Sequence, residues 1–363
     1  MEVALERRIR SQDIAESIRT EIVQKKLAHG SPIMSSRDIA RRFKVSMLTA
    51  NRALNRLVDE DLLYRVQGSG TYVKDTTGAQ RSLNIGYCEI FTHDNDPGVH
   101  AASGVLVDNC LAGFRKKNCT VKIIPYQDLI KRDLAEKALH GLDGLLVNSG
   151  YIDEKTLPFF EAFQGPVTVY RNEFIGDWPF NQVIPDLTTG MRETVRRISR
   201  EKVSGVIVVS SPNPNADARM REFVRQAEAA GIGKEKIEVI SVPLEVGDSG
   251  RMSGYRAGRK FLPDCRGKFI FCTSDFITFG LIDAMHENGM VPGKDVQLAS
   301  YDNLEGYGMI PYERPIITSV DFPKDEVARR AAELTIAQIE KNDNCLHIIK
   351  VPTHLVVRET GLQ

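Results

Sequence analysis

From residue 83 to about residue 300, short apolar runs rich in Val, Ile, Leu and aromatic residues alternate with longer stretches whose apolar positions recur every three or four residues. A run of four to six such residues suits a strand buried on both faces, and the longer stretches suit the helices that cover it. The spacing predicts strands over 83–87, 121–125, 142–147 and 167–170, separated by helices over 104–117, 134–140 and 154–163. A connecting strand over 182–186 follows, and then the pattern restarts. Its second half runs helix from 188, strand 205–209, helix 216–230, strand 237–242, helix from 250, strand 268–271, helix 276–288 and strand 296–300. Repeated strand–helix units dictate a parallel, doubly wound sheet. About eleven units crowd a single sheet, so the count predicts two similar lobes with a ligand cleft between them, where pockets preferentially form.

The first 75 residues do not share this pattern. Ser11 is placed to cap a helix carrying Ile14, Ile18 and Ile22 on one face and ending near Gly30-Ser31-Pro32. Ser35 with Asp38 forms a capping-box pair that starts a second, short helix ending near Phe43. Ser46 caps a third, on which Ala50, Ala53, Leu54 and Leu57 make an apolar stripe opposite Thr49, Asn51, Arg52, Asn55 and Arg56. That polar face can donate to and accept from base edges and phosphates, as the second helix of a helix-turn-helix does in the major groove. Two β-rich runs, 62–66 and 71–73, then flank Gln67-Gly68-Ser69-Gly70. A tip with so little side-chain bulk lets backbone N–H groups approach phosphate closely.

Residues 10–75 resemble the winged helix-turn-helix of the GntR family of bacterial transcription regulators. The resemblance implies that Arg37, Thr49, Arg52 and the wing Gln67, Gly68, Ser69, Gly70 and Thr71 contact DNA, with Ser36, Ser46, Asn51 and Arg56 completing the surface. Met34 stands where the family usually has proline, and Met47 where an arginine often follows Val-Ser. The charge distribution agrees with a DNA-reading head. Residues 1–75 hold 14 Lys and Arg against 10 Asp and Glu, and the rest of the chain 34 against 38, although the whole is neutral.

The polar stretch 76–82 has the composition of a linker, giving a head over 1–75, a linker over 76–82 and a sensing domain over 83–363. Within that last part, a series of landmarks is similar to the effector core of LacI-type repressors, related to periplasmic sugar-binding proteins. They are Pro166 to Arg171, Asp186, Ala218-Arg219, Ser253-Gly254-Tyr255, Thr273-Ser274-Asp275, Val291-Pro292-Gly293, Ser300-Tyr301-Asp302-Asn303, Thr318-Ser319-Val320 and Leu355 to Arg358. The fold class implied is α/β: an N-terminal winged helix-turn-helix followed by a two-lobed, doubly wound, periplasmic-binding-protein-like domain. The resemblance assigns effector binding to Arg219 and Asp275, whose paired donors and paired acceptors suit adjacent hydroxyls. Arg171 and Asp186 join them as matching landmarks. After Gly247-Asp248, where such repressors often place an aromatic ring under a sugar, Ser249 stands instead, so either stacking falls to Tyr87, Phe91, Phe276 or Trp178 or the effector is not a simple pyranose.

These features together lead us to expect a DNA-binding transcription regulator, a repressor by resemblance, that dimerises through its sensing domain and answers to a small molecule of the sugar class. No cofactor or metal is expected; His93-Asp94-Asn95-Asp96 is read as a polar loop at a strand end. The six cysteines show no metal spacing and suit a reducing compartment, and with no apolar run long enough for a span the expected location is the cytoplasm. The chain has no G-x-G-x-x-G after its first strand, no P-loop and no G-x-S-x-G elbow. A sugar-acting enzyme fused to a DNA-binding head is the alternative, and an effector-independent architectural DNA binder a third reading.

Overall fold

The computed structural model describes residues 10–25, 27–60, 62–74, 82–89, 97–198, 203–243, 250–341 and 345–361. It forms two compact units, Met1–Leu83 and Asn84–Gln363. The expected linker, apart from Ser82, lies outside the described residues.

In the first unit, α1 (Ser11–Gln24), β1 (Pro32–Ile33), α2 (Ser36–Arg42), α3 (Met47–Asp59), β2 (Leu63–Val66) and β3 (Gly70–Val73) follow in order. Arg10, rather than Ser11, is the N-cap of α1, because Asp13 reaches back to the Arg10 amide at 2.9 Å. The helix stops at Gln24, well before Gly30. Ser35 and Ser46 cap α2 and α3, accepting from Asp38 N at 3.2 Å and Thr49 N at 3.1 Å. Ile14, Ile18 and Ile22 of α1 close with Ile39, Ala50, Leu54, Leu57 and the wing residues Leu63 and Val73 into one core. The hairpin pairs Tyr64 with Tyr72 and Val66 with Gly70, and β1 adds a third strand on the β3 edge.

The second unit continues with β4 (Asn84–Cys88), α4 (Pro97–Lys116), β5 (Thr120–Ile123), α5 (Tyr126–Leu129), α6 (Arg132–Leu139), β6 (Gly144–Asn148), α7 (Leu157–Ala162), β7 (Val167–Tyr170) and β8 (Asn181–Asp186). After these come α8 (Leu187–Ile198), β9 (Gly205–Ser210), α9 (Pro214–Ala229), β10 (Ile237–Ser241), α10 (Arg251–Phe261), β11 (Lys268–Cys272), α11 (Asp275–Glu287), β12 (Gln297–Asp302) and β13 (Ser319–Asp321). The chain finishes through α12 (Lys324–Lys341), β14 (Ile348–Pro352) and β15 (His354–Val356). There are two six-stranded sheets, β14-β8-β7-β6-β4-β5 in lobe 1 and β10-β9-β11-β12-β13-β15 in lobe 2. Among the described residues, every pairing in these two sheets is parallel except β13 with β15.

The chain crosses between lobes three times: after Asp186, between Asp321 and Lys324, and between Pro352 and His354. The third crossing places β14 beside β8 and β15 beside β13 with one residue between them, so each sheet gains its edge strand from the C-terminal segment. At the first crossing, Asp186 Oδ1 accepts from Thr188 N at 3.1 Å and starts α8, while its carbonyl accepts from Thr353 Oγ1 at 2.6 Å. Two of the three crossings are thereby tied to each other. In lobe 2, α10 and α11 pack so closely that a Cβ on Gly280 would lie 1.7 Å from the Arg251 carbonyl oxygen.

Candidate DNA surface and effector cleft

On the head, Arg37, Arg52, Arg56 and the wing tip Gln67 to Gly70 are exposed, and Ser36, Thr49, Asn51 and Thr71 are half-buried. Ser36 Oγ donates to Asn51 Oδ1 at 2.6 Å, fixing the Asn51 amide and locking α2 against α3. The Ser46 and Thr49 hydroxyls bond each other at 2.8 Å at the start of α3. Arg56 Nε is held by Glu60 at 3.1 Å, which also takes Arg19, so Arg56 leans onto its own unit. In the wing, Gly68 takes φ +78°, where a Cβ would strain the turn. Ser69 Oγ and Tyr72 OH bond at 2.5 Å, bracing the tip. Met47 and Leu48 at the N-terminus of α3 are exposed, at 47% and 60%. Apolar side chains at that end of a reading helix can meet thymine methyl groups, and helical periodicity alone did not mark them.

In the second unit, charged and polar groups collect at the carboxyl ends of the parallel strands, where open α/β sheets bind ligands. On lobe 1, Glu89 follows β4 with its side chain fully enclosed. It accepts from Tyr87 OH at 3.2 Å, from Tyr170 OH, from Asn148 Nδ2 and from Arg171 NH1 at 2.9 Å. Arg171 holds φ +67°, a left-handed conformation that costs a non-glycine residue roughly 1–3 kcal/mol and recurs at functional sites. Burial first, then the neighbouring Glu89, pushes the Tyr170 hydroxyl well above its ordinary range, so it stays protonated and donates.

On lobe 2, Arg219 of α9 stacks its guanidinium 4.0 Å over the Tyr301 ring and donates from NH1 to Thr273 O at 2.7 Å. NH2 pairs with Asp302 at 3.1 Å, and Nε with NH2 form a two-pronged pair with Glu173. Asp302 sits at φ +113° and Asn303 at +51°, so the end of β12 is strained as Arg171 is. Burial raises the Glu173 carboxyl above its usual range even against Arg219, which pulls it down. Lys324, at the second crossing, donates to Asp302 O at 2.6 Å, and burial lowers its ammonium pKa despite Asp302 and Asp321.

Several expected effector residues take other places. Asp275 is 1% exposed; its oxygens accept from Ser319 Oγ at 2.9 Å and Leu304 N at 2.7 Å, and the carboxylates that meet Arg219 are Glu173 and Asp302. Burial first, and then Asp302, push the Asp275 carboxyl up to about 7. Tyr87 is wholly buried and spends its hydroxyl on Glu89 and Tyr170. Phe276 is half-buried edge-on to Phe279, and Trp178 lies against Phe174. Asp186 stands at the first crossing as a helix start. Phe91, His93 to Asp96 and Ser249 lie outside the described residues. Among the described residues, no group of His, Cys, Asp and Glu could hold a metal ion and no helix is long and apolar enough to cross a membrane. Glu89, Glu173, Asp302 and Lys324 were not singled out from sequence. Asp302 alone carried a signal, as the last residue of an apolar run inside a quoted landmark.

A reading head and a two-lobed sensor with polar strand ends define a ligand-responsive DNA-binding protein, and comparison with known proteins gives that class its parts. Residues 10–73 match the bacterial regulatory proteins of the gntR family, and residues 201–360 match the periplasmic binding protein-like domain. The HTH-type transcriptional repressor PurR of Shigella dysenteriae serotype 1 (strain Sd197) is 25% identical over 345 residues, covering 89% of this chain and 96% of that protein. PurR of Escherichia coli O1:K1 is 24% identical over the same coverage. Among solved structures, a LacI family transcriptional regulator from Enterococcus faecium with bound ribose aligns with a TM-score of 0.62 and 17% identity, over 77% of this chain and 99% of that one. A LacI family regulatory protein from Chloroflexus aggregans aligns with a TM-score of 0.62 and 20% identity, over 77% and 98%. The chain is a transcription regulator with a gntR-type DNA-binding domain and a periplasmic binding protein-like domain, the latter with the fold of the LacI family structures.

Proposed function

We propose that the protein is a repressor whose affinity for operator DNA is set by a sugar or sugar derivative bound between the two lobes, and that it is not an enzyme. The observation that carries this is the contact between the lobes at the strand ends, where Arg219 of lobe 2 pairs with Glu173 of lobe 1 as well as with Asp302, and Asn215 of lobe 2 donates to the Arg171 carbonyl of lobe 1 at 3.0 Å. Groups that meet only across a lobe interface make ligand affinity depend on lobe arrangement. By linkage, the operator must then change ligand affinity by the same factor as the ligand changes operator affinity. The ribose bound to the Enterococcus faecium regulator and the repressor relatives support the ligand class and the sign.

On the head, Arg37, Thr49, Arg52 and the wing Gln67 to Thr71 meet DNA, with Ser36 and Ser46 setting the helix starts and Asn51 held by Ser36. The head runs to residue 75 and the sensing domain from 83. Two heads act as a homodimer, since one small head contacts too little DNA for tight specific binding. The protein works in the cytoplasm, where its free cysteines stay reduced.

The test is binding of the full-length protein to DNA upstream of its own and neighbouring genes, at fixed salt, with and without ribose and other sugars. Salt is held constant because phosphate contacts alone change affinity steeply with it. A sequence-specific complex released by one sugar is the expected result. Specific binding that answers to no small molecule would overturn the sensor reading, and turnover of a sugar by the purified protein would favour an enzyme.

A further inference from the structure

The Arg219 fork is already filled. Nε and NH2 donate to the two oxygens of Glu173, NH1 donates to Thr273 O, and NH2 also lies 3.1 Å from Asp302 as an ion pair. Glu173 belongs to lobe 1: it follows β7 in a loop pinned to β8, where Gln182 Oε1 accepts from Asn172 Nδ2 at 2.9 Å and Gly176 N at 2.8 Å and Gln182 Nε2 donates to Gly176 O at 2.8 Å. Its partners belong to lobe 2. Besides the ion pair with Arg219, Glu173 N donates to Asn215 Oδ1 at 3.0 Å, and Asn215 Nδ2 donates to Arg171 O at 3.0 Å. Both side chains of the pair are nearly enclosed, Glu173 at 2% exposure and Arg219 at 11%.

We infer that Glu173 is a built-in occupant of the effector fork. It is a carboxylate carried by lobe 1 that engages Arg219 of lobe 2, and the effector displaces it with an acidic group of its own, a carboxylate or a phosphate monoester on a sugar-sized frame. This deepens the regulator reading above and rests on it.

The charge logic selects that class. A guanidinium accepts a carboxylate or phosphate through two parallel N–H bonds. A neutral pair of hydroxyls that took the place of Glu173 would leave Asp302 as the one carboxylate still paired with Arg219 among the described residues, and would put weaker neutral acceptors where the Nε–NH2 edge now has a charge-assisted pair. An anion exchanges like for like. A second observation points the same way. The Tyr301 ring lies under Arg219, and its hydroxyl, fully buried in the fields of Glu173, Asp302 and Asp321, has no hydrogen-bond partner among the described residues. It is a donor available to an oxygen that the two of Glu173 do not supply. Asp302 and Lys324 stay paired with their own partners throughout, so only Glu173 has to leave.

The loop that carries Glu173 also carries Trp178, the single tryptophan, 5.9 Å from Phe174. Its emission therefore reports the latch. In the full-length, ligand-free protein, Glu173→Gln is expected to shift Trp178 emission and enlarge the radius of gyration measured by X-ray scattering, with Glu173→Asp, which keeps the charge on a shorter stem, falling between. Indistinguishable emission and scattering for wild type and both variants would overturn the latch. The ligand arm uses inorganic phosphate, glucuronate and ribose 5-phosphate against neutral glucose and ribose. The acids should move wild-type Trp178 emission and the neutral parents should not. A latch engaged nine-tenths of the time lowers apparent affinity about tenfold, so Glu173→Gln should bind the acidic probe about tenfold more tightly. Neutral parents binding as well as the acids, with Glu173→Gln weakening both, would make Glu173 an ordinary ligand-holding residue. Binding of none of the acids to either protein would overturn the ligand class. Operator binding by wild type in the same samples separates the readings, because its loss removes the regulator function and leaves the ligand-free comparison standing.

Discussion

Replacing Asp275 by asparagine should make the sensing unit more stable at pH 8 and change it little at pH 4. The carboxyl is enclosed, and burial together with Asp302 holds it at about 7 against an ordinary value of 3.8. The folded protein therefore keeps a proton between pH 4 and 7 that the unfolded chain has released, so stability is full below pH 4 and falls as pH rises to 7. At about 1.36 kcal/mol per pH unit, the loss between pH 5 and pH 7 is on the order of 3 kcal/mol. Asparagine has no such loss. Its oxygen can still accept from Leu304 N, while the bond with Ser319 reverses direction at a cost of about 1 kcal/mol. Over the whole range from pH 4 to 8 the wild type loses about 4 kcal/mol, so the variant should sit about 1 kcal/mol below wild type at pH 4 and about 3 kcal/mol above it at pH 8, a rise in Tm of about 7 °C for a unit of this size. Urea unfolding followed by Trp178 emission isolates the sensing unit, because the head has no tryptophan. Glu305 titrates in both proteins and cancels, whereas Lys324 lies in the field of Asp275 and loses that support in the variant. Parallel stability profiles for the two proteins from pH 5 to 8 would refute the reasoning.

Other perturbations separate the head from the sensor and test the packing. Arg52→Ala should weaken operator binding and leave the response of Trp178 to ligand unchanged; if Arg52 meets phosphate, the salt slope of log affinity falls by about one, and equal loss of DNA and ligand binding would remove its assigned role. Gly280→Ala forces a Cβ into the Arg251 carbonyl and should cost about 3 kcal/mol in urea unfolding, whereas Gly104→Ala on α4, with open space around it, should cost nothing or add up to about 1 kcal/mol.

The alternation of strand and helix was legible because its cause is local. A run such as Val167 to Tyr170, buried at every position, reads as a central strand wherever it lies, and its expected bounds match those of β7. The caps at Ser35 and Ser46 were legible for the same reason, being hydroxyls that bond an amide three residues on. Helix α12 and strands β14 and β15 were not placed beforehand, and which lobe each joins depends on partners far along the chain, such as β8 for β14. The site shows the same division. Arg219 stood out as an arginine in a familiar setting, but its carboxylates could not be chosen from sequence. Asp275 and Asp302 both follow apolar strands, and only the tertiary structure turns one toward Ser319 and Leu304 and the other toward Arg219. Glu173 is an ordinary loop acid until the loop is seen to end on a helix of the other lobe.

The threading of the C-terminal segment has a bearing on how the protein is made. Lobe 1 needs β14 for its edge and α12 for its cover, and lobe 2 needs β15, so neither lobe is a continuous stretch of chain. During synthesis both sheets lack an edge strand until β14 and β15 have left the ribosome. The head, closed by residue 74, has all its strands and helices some 280 residues earlier. A nascent chain therefore carries a finished DNA-reading surface well before it carries a sensor that can answer to anything.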